Sequence, residues 1–234
     1  MHPNNRPPYK LPEPPGLPGL ERRAGELRLQ LQTLSPDVIA SRAQVAFLPS
    51  SPDASNAGEF RFSLFHAPVT GTYPELIFSS GPAPLPEFQQ ALLLYYLATA
   101  DGEALPQGWV SFAALPGGRL YDQAFQGYAG DRLRSAAVQV GGEAHFIGTI
   151  AQASLALGGQ PVDLGAAAFA FLALPALPVL LTCWEGDEDF PSTCKILFDA
   201  SATHYLPIDG CAILGSQLVS RLARWISQHP PAAA

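Results

Sequence analysis

The chain has 234 residues, 47% of them hydrophobic, enough to bury a substantial core and to form one domain or two. Thirteen Lys and Arg stand against 20 Asp and Glu, for a formal net charge of −7, and there is no basic run or basic amphipathic helix. Nucleic acid and an anionic membrane surface are therefore excluded as expected partners.

No apolar run reaches the roughly 18 residues that a bilayer span needs. The longest, Leu164 to Leu181, is broken by Pro175 and Pro178, and Met1 to Leu20 has no signal-peptide core. A soluble, cytoplasmic protein is expected. Charged residues make up only 14% of the chain, against roughly 25% in ordinary soluble domains. Either abundant Ala, Gly and Pro dilute the charge, or a partner covers part of the surface.

Seven prolines between Pro3 and Pro18 fix φ and remove backbone donors, so residues 1–20 read as a disordered proline-rich tail. Residues 21–229 read as a single domain, and 230–234 as a frayed end. Glu21 to Leu31 reads as a short charged helix. Ser35-Pro36-Asp37 starts a second, over about 36–44, with serine at the cap, proline in the first turn and an acid beside the exposed N–H groups. Ala46 to Leu48 is a strand.

Phe60, Phe62 and Leu64 alternate with polar residues, as in a half-buried strand. Thr70-Gly71-Thr72 reads as a turn and Leu76 to Phe78 as the next strand, giving an antiparallel meander. Pro84 to Ala100 has apolar residues at three- and four-residue steps and is a helix. Trp109 to Phe112 is a short strand, Leu120 to Val138 a helix with kink points at Gly127 and Gly130, and Ala144 to Leu157 another helix, stopped by Gly158-Gly159. Ala167 to Leu174, Val179 to Trp184 and Lys195 to Asp199 are strands. Pro207 to Gln228 is a long amphipathic helix, with Arg221 and Arg224 outside its apolar stripe.

The last two strands pair best with Cys183 opposite Cys194, Leu181 opposite Ile196 and Val179 opposite Phe198. That register puts all six on one face, and a slip of one residue would destroy the separation. Two thiols so placed are close enough to bridge or share a metal. The plainer reading is that they are small hydrophobes in a core, since no CxxC spacing or neighbouring histidine supports metal.

The hairpin tip concentrates four carboxylates, Glu185, Asp187, Glu188 and Asp189, around Gly186. It lacks the order of a calcium loop and reads as a solvated turn. His204 follows Asp199 and titrates near neutrality, but a lone histidine at a strand–helix junction is more often a surface or capping group. No nucleophile elbow, P-loop or dinucleotide fingerprint is present.

Several ordered segments are similar to a bacterial and archaeal family, domain of unknown function 3786. They are Gln90 to Leu97, Gly108-Trp109-Val110-Ser111-Phe112, Leu115-Pro116-Gly117-Gly118, Leu174 to Pro178, and Trp184-Glu185-Gly186-Asp187-Glu188-Asp189-Phe190-Pro191, which runs on through Ile196 to Asp199 and Tyr205-Leu206-Pro207. The resemblance spans roughly residues 36–225. Some members of that family look joined to a cysteine-rich iron–sulfur domain of the corrinoid protein type, which implies corrinoid or iron–sulfur metabolism. This chain has no such four-cysteine domain, and the family carries no catalytic residues to transfer.

The expected architecture is α+β, with one antiparallel sheet built from the meander and the late hairpin and packed on several helices. The first functional expectation is a non-enzymatic accessory or binding module that presents Trp109, Trp184 and the acidic tip to a protein or small-molecule partner. The alternative is a small-molecule enzyme that brings Asp199, His204 and the tip carboxylates into one cleft for acid–base work.

Overall fold

A computed structural model describes residues 17–51, 56–105 and 108–230. The expectations for residues 1–16 and for the last four residues lie outside the described residues. The first helix, α1 (Leu17–Gln32), already begins within the stretch read as tail. It buries Ala24, Leu27 and Leu31, three- and four-residue steps that settle the helical period over the strand period. Helix α2 (Pro36–Ala43) starts with Pro36 in its first turn and Asp37 beside it, and ends at Gln44 in the left-handed region.

The α+β class holds, but its strands form two antiparallel sheets rather than one. The first sheet has the order β1 (Ala46–Pro49), β2 (Gly58–Leu64), β3 (Ala67–Tyr73), β4 (Phe78–Ser79). The second joins β5 (Trp109–Ser111), β9 (Thr193–Asp199), β8 (Leu177–Trp184), β7 (Ala167–Leu174) and β6 (Gln160–Pro161) in that order. Edge strands β4, β5 and β6 run only two or three residues, too short to template a continuous pairing between the sheets. The sheets meet where the β7–β8 register shifts between Leu172 and Leu174, and there Phe65 N donates to Ala173 O at 2.9 Å.

The expected turn at Thr70-Gly71-Thr72 lies inside β3 instead. Gly71 is there for packing, because a Cβ would come within 2.5 Å of the Phe78 ring. The chain reverses at Phe65-His66, between Leu64 and Ala67, with φ of +48° and +63°. Positive φ at both central positions is the two-residue hairpin geometry that matches strand twist, here made without glycine or asparagine.

Helix α3 (Glu87–Thr99) carries two buried polar anchors. The Gln90 amide accepts from Phe78 N (2.8 Å) and donates to Phe78 O (2.7 Å), pinning the helix to β4. Tyr96 OH donates to Ala43 O (2.6 Å) and accepts from Ala176 N (2.9 Å), tying α2 and the β7–β8 turn to α3. Burial pushes the Tyr96 phenol well above its ordinary pKa, so it stays protonated.

Helix α4 (Asp122–Gly141) runs without interruption past Gly127 and Gly130. Gly130 serves close approach, since a Cβ would meet Cys194 O at 3.2 Å. The Gln126 amide bonds Ile196 N (3.0 Å) and Ile196 O (2.8 Å), filling the edge of β9 beyond short β5. Helices α5 (Phe146–Ala156) and α6 (Ile208–Gln228) complete the fold. The buried stripe of α6 includes Cys211, Leu214, Leu218, Leu222 and Ile226, and one contiguous apolar core runs from Ala24 to Ile226.

The predicted hairpin register is observed at all six pairs, from Val179 opposite Phe198 to Trp184 opposite Thr193. Cys183 and Cys194 are both buried, as core cysteines are, but they are joined by a disulfide. The physical cause is the register: directly opposed residues on one face have side chains within bonding reach. Cys211 is the free thiol, with its pKa pushed up to about 12 by burial.

Candidate functional site

The residues singled out from sequence fall into two groups at opposite ends of β9. Trp184 closes β8 opposite Thr193, next to the acidic turn, and Trp109 lies opposite Asp199. Six steps along the strand separate Thr193 from Asp199, about 20 Å at the usual rise. The two tryptophans and the tip therefore do not share one concave face, and the tip carboxylates do not converge on Asp199 and His204.

At the tip, Trp184 is 38% exposed, with Lys195 Nζ 6.0 Å from its ring centroid. Asp187 Oδ1 accepts from Asp189 N (2.9 Å) and Phe190 N (2.7 Å), so this carboxylate shapes the turn. Glu185, Glu188 and Asp189 belong to the same turn. Gly186 N donates to the buried Ser192 Oγ (2.9 Å), while Ser192 N donates to Glu143 Oε1 (2.9 Å) from beyond α4. That backbone bond, foremost, holds the Glu143 carboxyl below its ordinary pKa. Among the described residues no group of three His, Cys, Asp or Glu side chains is placed to hold a metal ion.

At the other end, Asp199 is buried and structural. Its Oδ1 accepts from Ser201 N (3.0 Å) and Ser201 Oγ (2.6 Å), and its Oδ2 from Gly108 N (3.2 Å), fixing the chain on both sides of β5 and β9. His204 Nδ1 lies 2.7 Å from Asp101 Oδ2, both side chains about half exposed. That hydrogen bond raises the His204 pKa and lowers that of Asp101. Tyr205 OH donates to Glu103 O just beneath.

A broad concavity lies elsewhere. A groove of about 1280 Å³ runs over the outer face of α6 and is flanked by Phe88 and Gln89 of α3 and by Leu120, Tyr121 and the first turns of α4. Below it Phe112 and Phe125 pack at 4.6 Å between ring centroids, and a Cβ on Gly215 would strike the Phe125 ring at 2.6 Å, so α6 and α4 are pressed together beneath the opening. Leu120 and Tyr121 stand out at one end, 87% and 59% exposed.

Three charged side chains line the groove among the described residues: Asp209 at the start of α6, and Arg221 and Arg224 near its end. None of the three makes an ion pair with a described residue. The Arg221 guanidinium stacks 4.9 Å over the Phe65 ring, and burial, then the neighbouring Arg224, lowers its pKa. Gln217 Oε1 is buried with no hydrogen-bond partner among the described residues. Sequence reasoning placed both arginines outside the apolar stripe of α6 but missed the groove. Its lining comes from segments near 88, 120 and 208–224, which only the fold brings together.

The fold and this groove define an α+β protein of two antiparallel sheets with an open groove over its last helix. The model of one family, described as a domain of unknown function (DUF3786), matches residues 39–221, and the chain belongs to that family. No curated protein and no solved structure matches the chain. Among the described residues no helix is long and apolar enough to cross a membrane.

Proposed function

We propose that this domain is a non-enzymatic accessory module that acts by docking a protein surface into the groove over α6. One observation carries the reading: an open groove of about 1280 Å³, aromatic in its walls, with three charges that make no ion pair among the described residues. Small-molecule pockets usually enclose roughly 300–1000 Å³ and bury most of their ligand. A larger open trough beside outstanding Leu120 and Tyr121 suits a macromolecular surface better.

Replacing Leu120 with a photo-crosslinking amino acid and irradiating growing cells tests the proposal. A discrete protein adduct is expected at position 120. It should be absent from the same substitution at Leu29, an exposed leucine on α1, and abolished by Ala124→Arg inside the groove. No adduct, or one that Ala124→Arg leaves untouched, removes the proposal.

The enzyme reading has one observation in its favour, the 2.7 Å contact between His204 and Asp101. The other groups it calls on are the tip carboxylates, about 20 Å away along β9, and Asp199, already bonded to Ser201 and Gly108. A tie to corrinoid or iron–sulfur metabolism is proposed on the family resemblance alone. The visible spectrum of freshly purified protein tests it, since a corrinoid or cluster is coloured and a colourless protein discards the tie.

A further inference from the structure

We infer that the surface docked in this groove is a second copy of the same chain, related by a two-fold axis that crosses α6 between Ser216 and Gln217. The inference rests on the docking reading above and adds the identity of the occupant.

The argument begins with spacing. From Asp209 to Arg224, the residues that α6 turns toward the groove follow one another at alternating steps of three and one. That run reads the same in both directions from its midpoint between Ser216 and Gln217. A two-fold interface is isologous, so a residue that meets a second one is met by it in turn. Two antiparallel copies of α6 crossing at the midpoint would therefore face Asp209 with Arg224 of the second copy, and Arg224 with its Asp209.

The chemistry of the two end pairings agrees. Asp209 and Arg224 lie about 22 Å apart along one helix, too far to neutralise each other within a chain. Across the axis they form two opposite-charge pairs at the ends of the contact. Between those ends the stripe alternates small side chains, Ala212, Ser216 and Ser220, with the larger Ile213, Gln217 and Arg221. Gln217 is set opposite the Ser216 hydroxyl of the second copy, which its amide can reach by rotation.

Shape agrees as well. The Gly117-Gly118 turn packs on Ile208, so the outstanding Leu120 and Tyr121 sit at the Asp209 end of the groove. The same axis carries that knob to the Arg224 end of the groove on the other copy. Seventeen residues line the groove, near the 20–30 per side of a standard interface. A chain with net charge −7 repels its copies in general, so association needs local complementarity of this kind.

Sedimentation velocity on the full chain, up to roughly 100 µM, decides the matter. A species of twice the 24.8 kDa chain mass is expected. Asp209→Arg and Arg224→Asp should each weaken it at least about tenfold, and the double reversal should recover most of that loss. Both sites are exposed, and circular dichroism verifies that the variants fold. A wild-type monomer at the top concentration overturns the inference, as does a dimer indifferent to the single reversals or a double variant no tighter than either. If the Leu120 probe captures a different protein while the chain stays monomeric, the second copy is excluded and the docking reading stands. If it captures nothing, both fall.

Discussion

Cys183 and Cys194 face each other across β8 and β9 and are joined by a disulfide that closes the acidic hairpin at its buried end. Beyond the bridge, Trp184 and Thr193 form the last pair before the turn. The bridge thus separates a core-packed hairpin base from a solvated tip. Such bonds persist in oxidising compartments more than in reducing ones. This bears on the cytoplasmic expectation, which rested on the lack of a membrane-length apolar run and of a signal-peptide core in residues 1–20.

Removing the bridge should cost stability mainly by freeing the unfolded chain. For a loop of sequence separation 11 the chain-entropy estimate is about 3 kcal/mol. The Cys183→Ser, Cys194→Ser double variant should therefore melt roughly 6–12 °C lower. Thiol titration in denaturant without reductant should count one thiol, Cys211, and with reductant three. Three thiols in the unreduced protein would mean that the pair is not bridged.

Tyr96 OH holds two backbone groups at once, Ala43 O and Ala176 N, in the centre of the core. Tyr96→Phe leaves both without a partner and should cost about 2–4 kcal/mol in urea unfolding. Tyr95→Phe, which loses one solvent-exposed contact from Arg23, should change stability by less than about 0.5 kcal/mol. Equal effects would deny the hydroxyl its bridging role.

His204 and Asp101 form a pH-dependent clasp between the end of α3 and the turn after β9. The raised His204 pKa contributes stability that is full below the ordinary value of about 6.5 and lost as pH rises through the folded value. The lowered Asp101 pKa contributes stability present above about 3.9 and lost as pH falls through its folded value. The clasp is strongest between those limits and, being half exposed, is worth less than about 1 kcal/mol. Denaturation of His204→Gln should show its deficit near pH 5–6 and approach wild type above the folded histidine pKa. A deficit that grows with pH would reverse the sign.

The acidic tip should behave as a shaped but solvated turn. Asp187→Ala loses two bonds to backbone N–H groups and should cost about 1 kcal/mol, whereas Glu188→Gln should stay within about 0.5 kcal/mol. Millimolar calcium should leave the melting temperature unchanged to within about 1 °C. A larger rise, lost in Asp187→Ala, would make the tip a cation site.

Much of this architecture was legible residue by residue. The alternation along Val179–Trp184 and Thr193–Asp199 admits one register that keeps an apolar face, and that register is the one observed. The helix after Ser35 was readable from Pro36 and Asp37 in its first turn, although the Ser35 side chain makes no cap bond. Gly71 misled because glycine has two uses: it permits turns, and it makes room, here for the Phe78 ring. The division into two sheets was hidden because strand pairing beyond a hairpin depends on which edges meet.

What the sequence determined by itself was local periodicity: the amphipathic helices, the hairpin register, and two cysteines on one face. These depend on spacings of two and 3.6 residues that neighbouring side chains enforce. The tertiary structure alone decided where chemistry collects. It set the tip and Asp199 at opposite ends of β9, tied Asp199 to Ser201 and Gly108, and joined His204 to Asp101 across 103 positions. It also drew Phe88, Leu120 and the outer face of α6 into one groove. Contacts between distant segments are chosen by how whole helices and sheets pack, and no local spacing in the chain records that choice.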